Sequence, residues 1–411
     1  MIHDDFMLTT PLARRLYHEH AAGLPIVDFH NHLDAASLAE DRRFANVHEL
    51  WVASDPYKHR AMRIAGVPEC LITGGAPTHE KWYAWAATVP QTLGNPLHAW
   101  CNMELAFFFD IHEPLTPDTA EATWHRCNDR LAEPGFTARS MLDRCNVRCV
   151  ITSDPLEADL SHHVALAKSG WAVKVLPSVR PDVTALLPDA AARLDAFAAA
   201  GCMLADHALD DWRYTPGEST SDVLRDLAID YARRGWVLQL HLGAQRQTSS
   251  RLRRVAGPAG GYASVSNCVD VPSLCRFLDD LERAGALPKT ILYPLNVADY
   301  VPLATLAGSF TGDCVRGNVQ LGPAWWFNDH YAGIRQQLEA SAAHGLLSTF
   351  VGMTTDSRSL LSMVRHAYFR RVLCAWLAEG MAAGRFPDDE TVLAGLVRAV
   401  CYENAAQWFL E

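Results

Sequence analysis

Eight short apolar runs, each ending in polar or ionisable residues, constrain this chain more than any other feature. They are PIVDFHNH (25–32), VRCVITSD (147–154), AVKVLPSVR (172–180), CMLADHALD (202–210), WVLQLHLG (236–243), TILYPLN (290–296), NVQLG (318–322) and TFVGMTTDSR (349–358). Helix-patterned stretches such as DAAARLDAFAAAG, SDVLRDLAIDYARRG and AGIRQQLEASAAHG separate most of them, and several stop at Gly, as a helix C-cap does. Strands alternating with helices imply parallel βαβ units. Eight such units in 411 residues imply an α/β chain closed into a (β/α)8 barrel, not an open doubly wound sheet. The glycine-rich dinucleotide fingerprint that would favour the open sheet is absent.

The spacing of the runs divides the chain. Residues 1–34 supply an N-terminal segment and the first strand. Residues 35–140 are far too many for a loop. They include the aromatic, helix-patterned HEKWYAWAATVPQTLGNPLHAWCNMELAFFF, and are expected to form a helical insertion over the barrel mouth. Residues 141–411 carry the rest of the barrel and the C-terminal helices.

A net charge of −11 argues against a nucleic-acid or membrane-surface binder. Small anionic substrates remain compatible, because a few arginines can make a local positive pocket. The eleven cysteines form no zinc-finger pattern and read as reduced thiols. The N-terminus, MIHDDFMLTT, lacks the features of a signal peptide, and no apolar run reaches the roughly 20 residues that span a bilayer. A cytoplasmic location is therefore expected. A homo-oligomer is compatible with an enzyme of this size.

In a (β/α)8 barrel the chemistry sits at the C-terminal ends of the strands, and the polar residues of this chain gather there. His30 and His32 close the first run. Arg180 closes the third, His207 lies in the fourth and His241 in the fifth, and Asp356 and Arg358 end the eighth. Alternation along a strand points His30 and His32 the same way. Strand eight neighbours strand one in a closed barrel, so Asp356 can join them around one divalent ion, Zn²⁺ or Mn²⁺. A lone His-x-His is more often a pair of ordinary strand-end histidines; the combination with Asp356 reverses that balance. Asp28 can orient a metal ligand from behind or be a buried structural acid, and His207 is as readily structural as functional. Trp325 and Trp326 are read first as core packing, and the basic run RHAYFRR as an ordinary helix face with buried stems.

Longer segments resemble a known family, the uronate isomerases of the amidohydrolase superfamily. They are DFHNHLD, YKHRAMRIAGVPE, WAATVPQTLGNPL, VKVLPSVRPD, GWVLQLHLGAQR, LPKTILYPLN, AWWFNDH and GLLSTFVGMTTDSRSLLSMVRHAYFRRVLC. The resemblance implies a distorted (β/α)8 barrel of the metal-dependent hydrolase type, one metal ion (Zn²⁺ first, Mn²⁺ second), and aldose–ketose isomerisation of a hexuronate. D-glucuronate to D-fructuronate and D-galacturonate to D-tagaturonate are the expected conversions. It implies His30, His32 and Asp356 as metal ligands, and Tyr57, Arg180, His241, Arg246 and Arg358 as active-site residues. Two departures stand out. Family members usually carry His before the tyrosine, where this chain has Pro56. They also tend to carry acids where this chain has GPAGGYASVSN, 257–267.

The isomerisation moves a proton between C2 and C1. The expected roles follow from that need. Asp356, or a metal-held hydroxide beside it, takes the C2 proton. Tyr57 protonates or orients an oxygen. Arg180, with Arg246, clamps the carboxylate, Arg358 stabilises enediolate charge, and His241 is a general acid or base. A metal-dependent hydrolase of a sugar-acid lactone or amide is the alternative on the same barrel, and a non-catalytic sugar-acid sensor is a third reading.

Overall fold

Seven of the eight apolar runs form one parallel sheet. In this computed structural model, which describes residues 3–185, 188–258 and 260–411, the strands are β1 (Ile26–Asn31), β2 (Val147–Pro155), β3 (Lys174–Arg180), β4 (Leu204–Leu209) and β5 (Val237–Leu242). Two-residue strands β6 (Ala244–Gln245) and β7 (Ser264–Val265) make an antiparallel hairpin beyond β5. β8 (Thr290–Pro294) and β9 (Val319–Leu321) follow. The large sheet runs β1-β2-β3-β4-β5-β8-β9, with parallel neighbours throughout. Every residue of β1, β5 and β8 is buried, as expected of parallel strands covered on both faces.

The eighth run departs from expectation: residues 350–356 make no strand ladder. Gly352 (φ +85°) and Asp356 (φ +50°) adopt left-handed backbone, which a pleated strand cannot hold. A Cβ on Gly352 would overlap the Val400 carbonyl oxygen, so only glycine fits. Mixed bonds close the barrel instead. The His30 N–H donates to Thr354 Oγ1 (2.8 Å), the Asp356 N–H to the His30 carbonyl (3.0 Å), the His32 N–H to the Ser357 carbonyl (2.9 Å), and the Val351 N–H to Gln320 Oε1 (3.1 Å). The barrel is distorted because scattered backbone and side-chain bonds replace the two ladders that an eighth strand would make.

Asp28 pins this closure. It is fully buried and accepts from Thr354 Oγ1 (2.7 Å), the Thr355 N–H (2.7 Å) and Thr355 Oγ1 (2.6 Å). It reaches His30 only through Thr354 and the backbone, which makes it a structural acid. Asp34 caps the helix Ala35–Ala39.

Between β1 and β2 lie seven α-helices, from Ala35–Ala39 to Ala138–Arg144. Their apolar faces share one core with the helices Pro11–His20 and Val364–Ala382, built around Trp51, Trp82, Trp85, Trp100 and Trp376. The basic run on that last helix is a correction to the sequence reading. Arg365, Arg370 and Arg371 are buried to their guanidiniums, not only along their stems. Arg370 donates to the carbonyls of Ala21, Leu24 and Pro25, which ties the link between helix Pro11–His20 and β1 to this helix. All eleven cysteines are free thiols, and no helix among the described residues is long and apolar enough to cross a membrane.

Candidate active site at the barrel mouth

β1 delivers His30 and His32 to one side of the sheet end, with ring centroids 5.3 Å apart. Their Nε2 atoms lie 3.3 and 3.1 Å from the same oxygen, Asp356 Oδ1. The left-handed turn at Asp356 swings its carboxylate inward, a backbone state that Asp tolerates better than most residues. Burial opposes ionisation of Asp356, but the two imidazoles outweigh it and hold the carboxyl well below its usual range. The three side chains form a group whose ligand atoms lie within 4.8 Å of one another. Both ring nitrogens of His30 are buried with no hydrogen-bond partner. Such atoms are costly unless something binds them, and two imidazoles with a carboxylate suit a divalent transition-metal ion.

A second group joins His30 to Asp206 and His241. The His241 ring lies 4.4 Å from His30 and stacks on Tyr293 at 4.6 Å. Burial, then the neighbouring His30 and Arg180, keep it neutral, far below the usual histidine range. Asp206 is saturated: it accepts from Ser178 Oγ (2.6 Å) and Ser153 Oγ (3.0 Å), and Arg180 Nε sits 2.7 Å away.

Asp206 was missed by the sequence reading, which singled out its neighbour His207. The β4–β5 register sets Asp206 beside Gln239 and Ala208 beside His241, so these share the inner face. His207 faces outward, and its Nε2 lies 3.2 Å from the Tyr231 hydroxyl on helix Ser219–Arg233. That corrects its expected place at the mouth. A six-residue strand bearing "DH" gives no parity signal until its pairing is known.

A pocket of about 200 Å³ opens above these groups. His32 and Asp356 line its floor, and Tyr57, Arg180, Arg246 and Arg358 line its walls; His30 and His241 lie beneath it. Arg246 is ion-paired with Asp210 and packs over the Trp326 ring at 5.6 Å. Burial, then repulsion from Arg180, pushes its guanidinium down to about 10. Trp325 is buried and donates to the Pro294 carbonyl, yet it lines the pocket together with half-buried Trp326. A wider groove of about 650 Å³ near the C-terminus shares no residue with this mouth.

The two departures from the family pattern touch each other. Tyr57 and Pro56 open the helix Pro56–Ile64, capped by Asp55. Gly261 (φ +78°) lies so close that a Cβ there would overlap the Pro56 carbonyl oxygen. From the same helix Arg60 donates to the Ala263 carbonyl (2.8 Å) and Arg63 to that of Gly260. Pro56, Pro258, Gly261 and Ala263 thus make one apolar wall, with no side-chain donor or acceptor. Replacing Gly261 with Ala costs about 1–2 kcal/mol in backbone alone and drives the loop from the helix. We expect a fall in kcat/KM of about tenfold and a lower thermal midpoint, measured by steady-state kinetics and calorimetry. Unchanged kinetics would show that this contact does not shape the pocket.

Tyr57 bridges the wall and the insertion. Its hydroxyl donates to Asp329 Oδ2 (3.4 Å), and burial raises its phenol well above the usual range, so it stays protonated.

Comparison with known proteins agrees with this geometry. The family model described as glucuronate isomerase matches residues 1–190 and 217–409. A curated uronate isomerase from Salmonella arizonae is 42% identical over 460 residues, covering 98% of each chain. The crystal structure of uronate isomerase from Thermotoga maritima superposes with a TM-score of 0.91 at 29% identity, covering 100% of this chain and 99% of that one. Glucuronate isomerase from Caulobacter crescentus shares the fold with a TM-score of 0.90 at 24% identity, covering 100% and 97%. With full-length sequence identity and a matching barrel both in hand, the chain belongs to the uronate isomerase family.

Proposed function

We propose that this isomerase interconverts D-glucuronate with D-fructuronate and D-galacturonate with D-tagaturonate in the cytoplasm, using one divalent ion, Zn²⁺ before Mn²⁺. One observation carries the reading. His32 and Asp356, backed by His30 from beneath, form one end of a pocket of about 200 Å³ whose walls carry three arginines. That arrangement suits a small molecule with a reacting hydroxy-aldehyde at one end and a carboxylate at the other. His30, His32 and Asp356 would hold the ion, which when bound supplies Lewis-acid polarisation of the sugar oxygens.

The chain's own residues do the rest. Asp356, kept ionised, takes the C2 proton, exchanges it with solvent and delivers one to C1. Tyr57, kept protonated, gives a proton to the C1 oxygen and later accepts the one leaving the C2 hydroxyl. Arg180 and Arg246, steered by Asp206 and Asp210, grip the carboxylate, and Arg358 balances enediolate charge. His241 serves by holding His30 from below; its buried, neutral ring is too deep to meet substrate first. The apolar wall at Pro56 and Gly261 contacts the sugar's middle carbons without reading their hydroxyls, which accommodates both C4 epimers.

The hydrolase alternative is not favoured, since the curated relatives are isomerases. Metal-loaded protein incubated with each uronate in D₂O should form ketose with deuterium at the migrating position, read by proton NMR. Chelation should lower turnover by about 10²-fold or more, and Zn²⁺ should restore it. Lactone or amide cleavage without ketose would overturn the reading.

A further inference from the structure

Behind Tyr57 stands a buried acid–arginine couple that the steps above do not use. Asp329 is 3% exposed and Arg365 1%. Arg365 Nη1 lies 3.5 Å from Asp329 Oδ2, the same oxygen that Tyr57 reaches at 3.4 Å. The guanidinium lies over the rings of Trp100 (4.0 Å) and Tyr57 (4.8 Å), and none of its nitrogens makes a hydrogen bond among the described residues. Aromatic faces hold this cation in place while leaving it free to turn toward a charge appearing on Asp329. Asp329 also lines a second cavity of about 360 Å³, which shares Tyr57 and Trp326 with the substrate pocket. Tyr57 therefore stands between two cavities, and Asp329 faces the one without substrate.

We propose that Asp329 is the proton store for the Tyr57 hydroxyl. The inference rests on Tyr57 acting as the acid in the reading above. As the enediol forms, the Tyr57 O–H bond breaks and its proton goes to the C1 oxygen. The Asp329 carboxyl then gives its proton to the phenolate, which leaves a carboxylate facing Arg365. When the enediol collapses, the proton leaving the C2 oxygen passes to Tyr57, and Tyr57 returns one to Asp329. Protons balance within the site and no co-reactant is needed. Burial pushes the Asp329 carboxyl up to about 8 against the pull of Arg365, so it carries a proton near neutral pH. The bond seen, from Tyr57 to Asp329, is long, as hydrogen bonds in ligand-free sites often are. Asp329 lies behind Tyr57 and acts through it, so it is a positioning residue.

The test is a double-mutant cycle on the full-length, metal-loaded enzyme. Asp329→Asn should lower kcat about 10- to 100-fold, a general-acid-sized loss, with KM changed less than twofold. It should also enlarge the solvent deuterium isotope effect on kcat, which a merely structural defect leaves alone. In a Tyr57→Phe background, Asp329→Asn should cost nothing further. Losses that multiply, or an Asp329→Asn enzyme with wild-type kcat, overturn the proposal while leaving Tyr57's role intact. A fully active Tyr57→Phe enzyme overturns the role of Tyr57 itself. Asn at 329 removes the one carboxyl that can ionise beside buried Arg365 and can prevent folding. The double variant Asp329→Asn/Arg365→Met removes the carboxyl together with the buried cation and should fold with the same loss of kcat. Wild-type turnover in that variant overturns the proposal.

Discussion

Asp356→Asn should lower kcat by about 10³-fold or more, because it removes the group that we propose carries the C2 proton. Asparagine tolerates the left-handed backbone at this position nearly as well as aspartate does, so the fold should survive. Its amide keeps the size of the carboxylate and can still offer one oxygen where Asp356 Oδ1 meets the two histidines. Metal content and turnover should therefore separate. With His30 and His32 intact, elemental analysis should find part of the ion retained while NMR finds almost no ketose. A variant that turns over within tenfold of wild type, fully metallated, would remove Asp356 from the proton-transfer step.

The second large effect is expected at Arg180. A charge-assisted contact to a substrate carboxylate contributes about 1.5–3 kcal/mol, so Arg180→Met should raise KM by roughly 10- to 100-fold. The same change strips the counter-charge from Asp206, which is wholly buried and keeps only Ser153 and Ser178 as donors. Breaking one side of such a pair costs about 3–5 kcal/mol when both groups are buried. Arg180 is 28% exposed, so we expect the low end, about 3 kcal/mol. Adding Asp206→Asn should restore the thermal midpoint but not KM. Calorimetry and kinetics on the two variants check both halves. A KM that stays normal while stability falls would make Arg180 a structural residue and leave the carboxylate to Arg246 and Arg358.

Much of the architecture could be read before folding because parallel strands are buried on both faces and so appear as unbroken apolar runs. His30 and His32 were legible for a related reason: two residues apart on one strand must share a side. The eighth run was harder. Its composition reads as a strand, yet Gly352 and Asp356 bend it out of any ladder, and Thr354 with Asp28 supplies the missing bonds. β4 was misread by one residue, because parity on a short strand depends on its partner and not on its own pattern. The arginines of helix Val364–Ala382 looked like an ordinary helix face, since an RxxxxRR run is the same string whether water or carbonyl groups meet it.

What the linear sequence determined by itself was the order of strands and helices, the convergence of two imidazoles, and the family to which the chain belongs. These depend on local periodicity and on strings of residues that survive as strings. Tertiary structure alone decided which acid stands behind which arginine: Asp206 with Arg180, Asp210 with Arg246, Asp329 with Arg365. It also brought Pro56 against Gly261 across some two hundred residues of chain. The physical reason is that a charge or a wall acquires its partner only through distance in space, which loop closure, register and core packing set together.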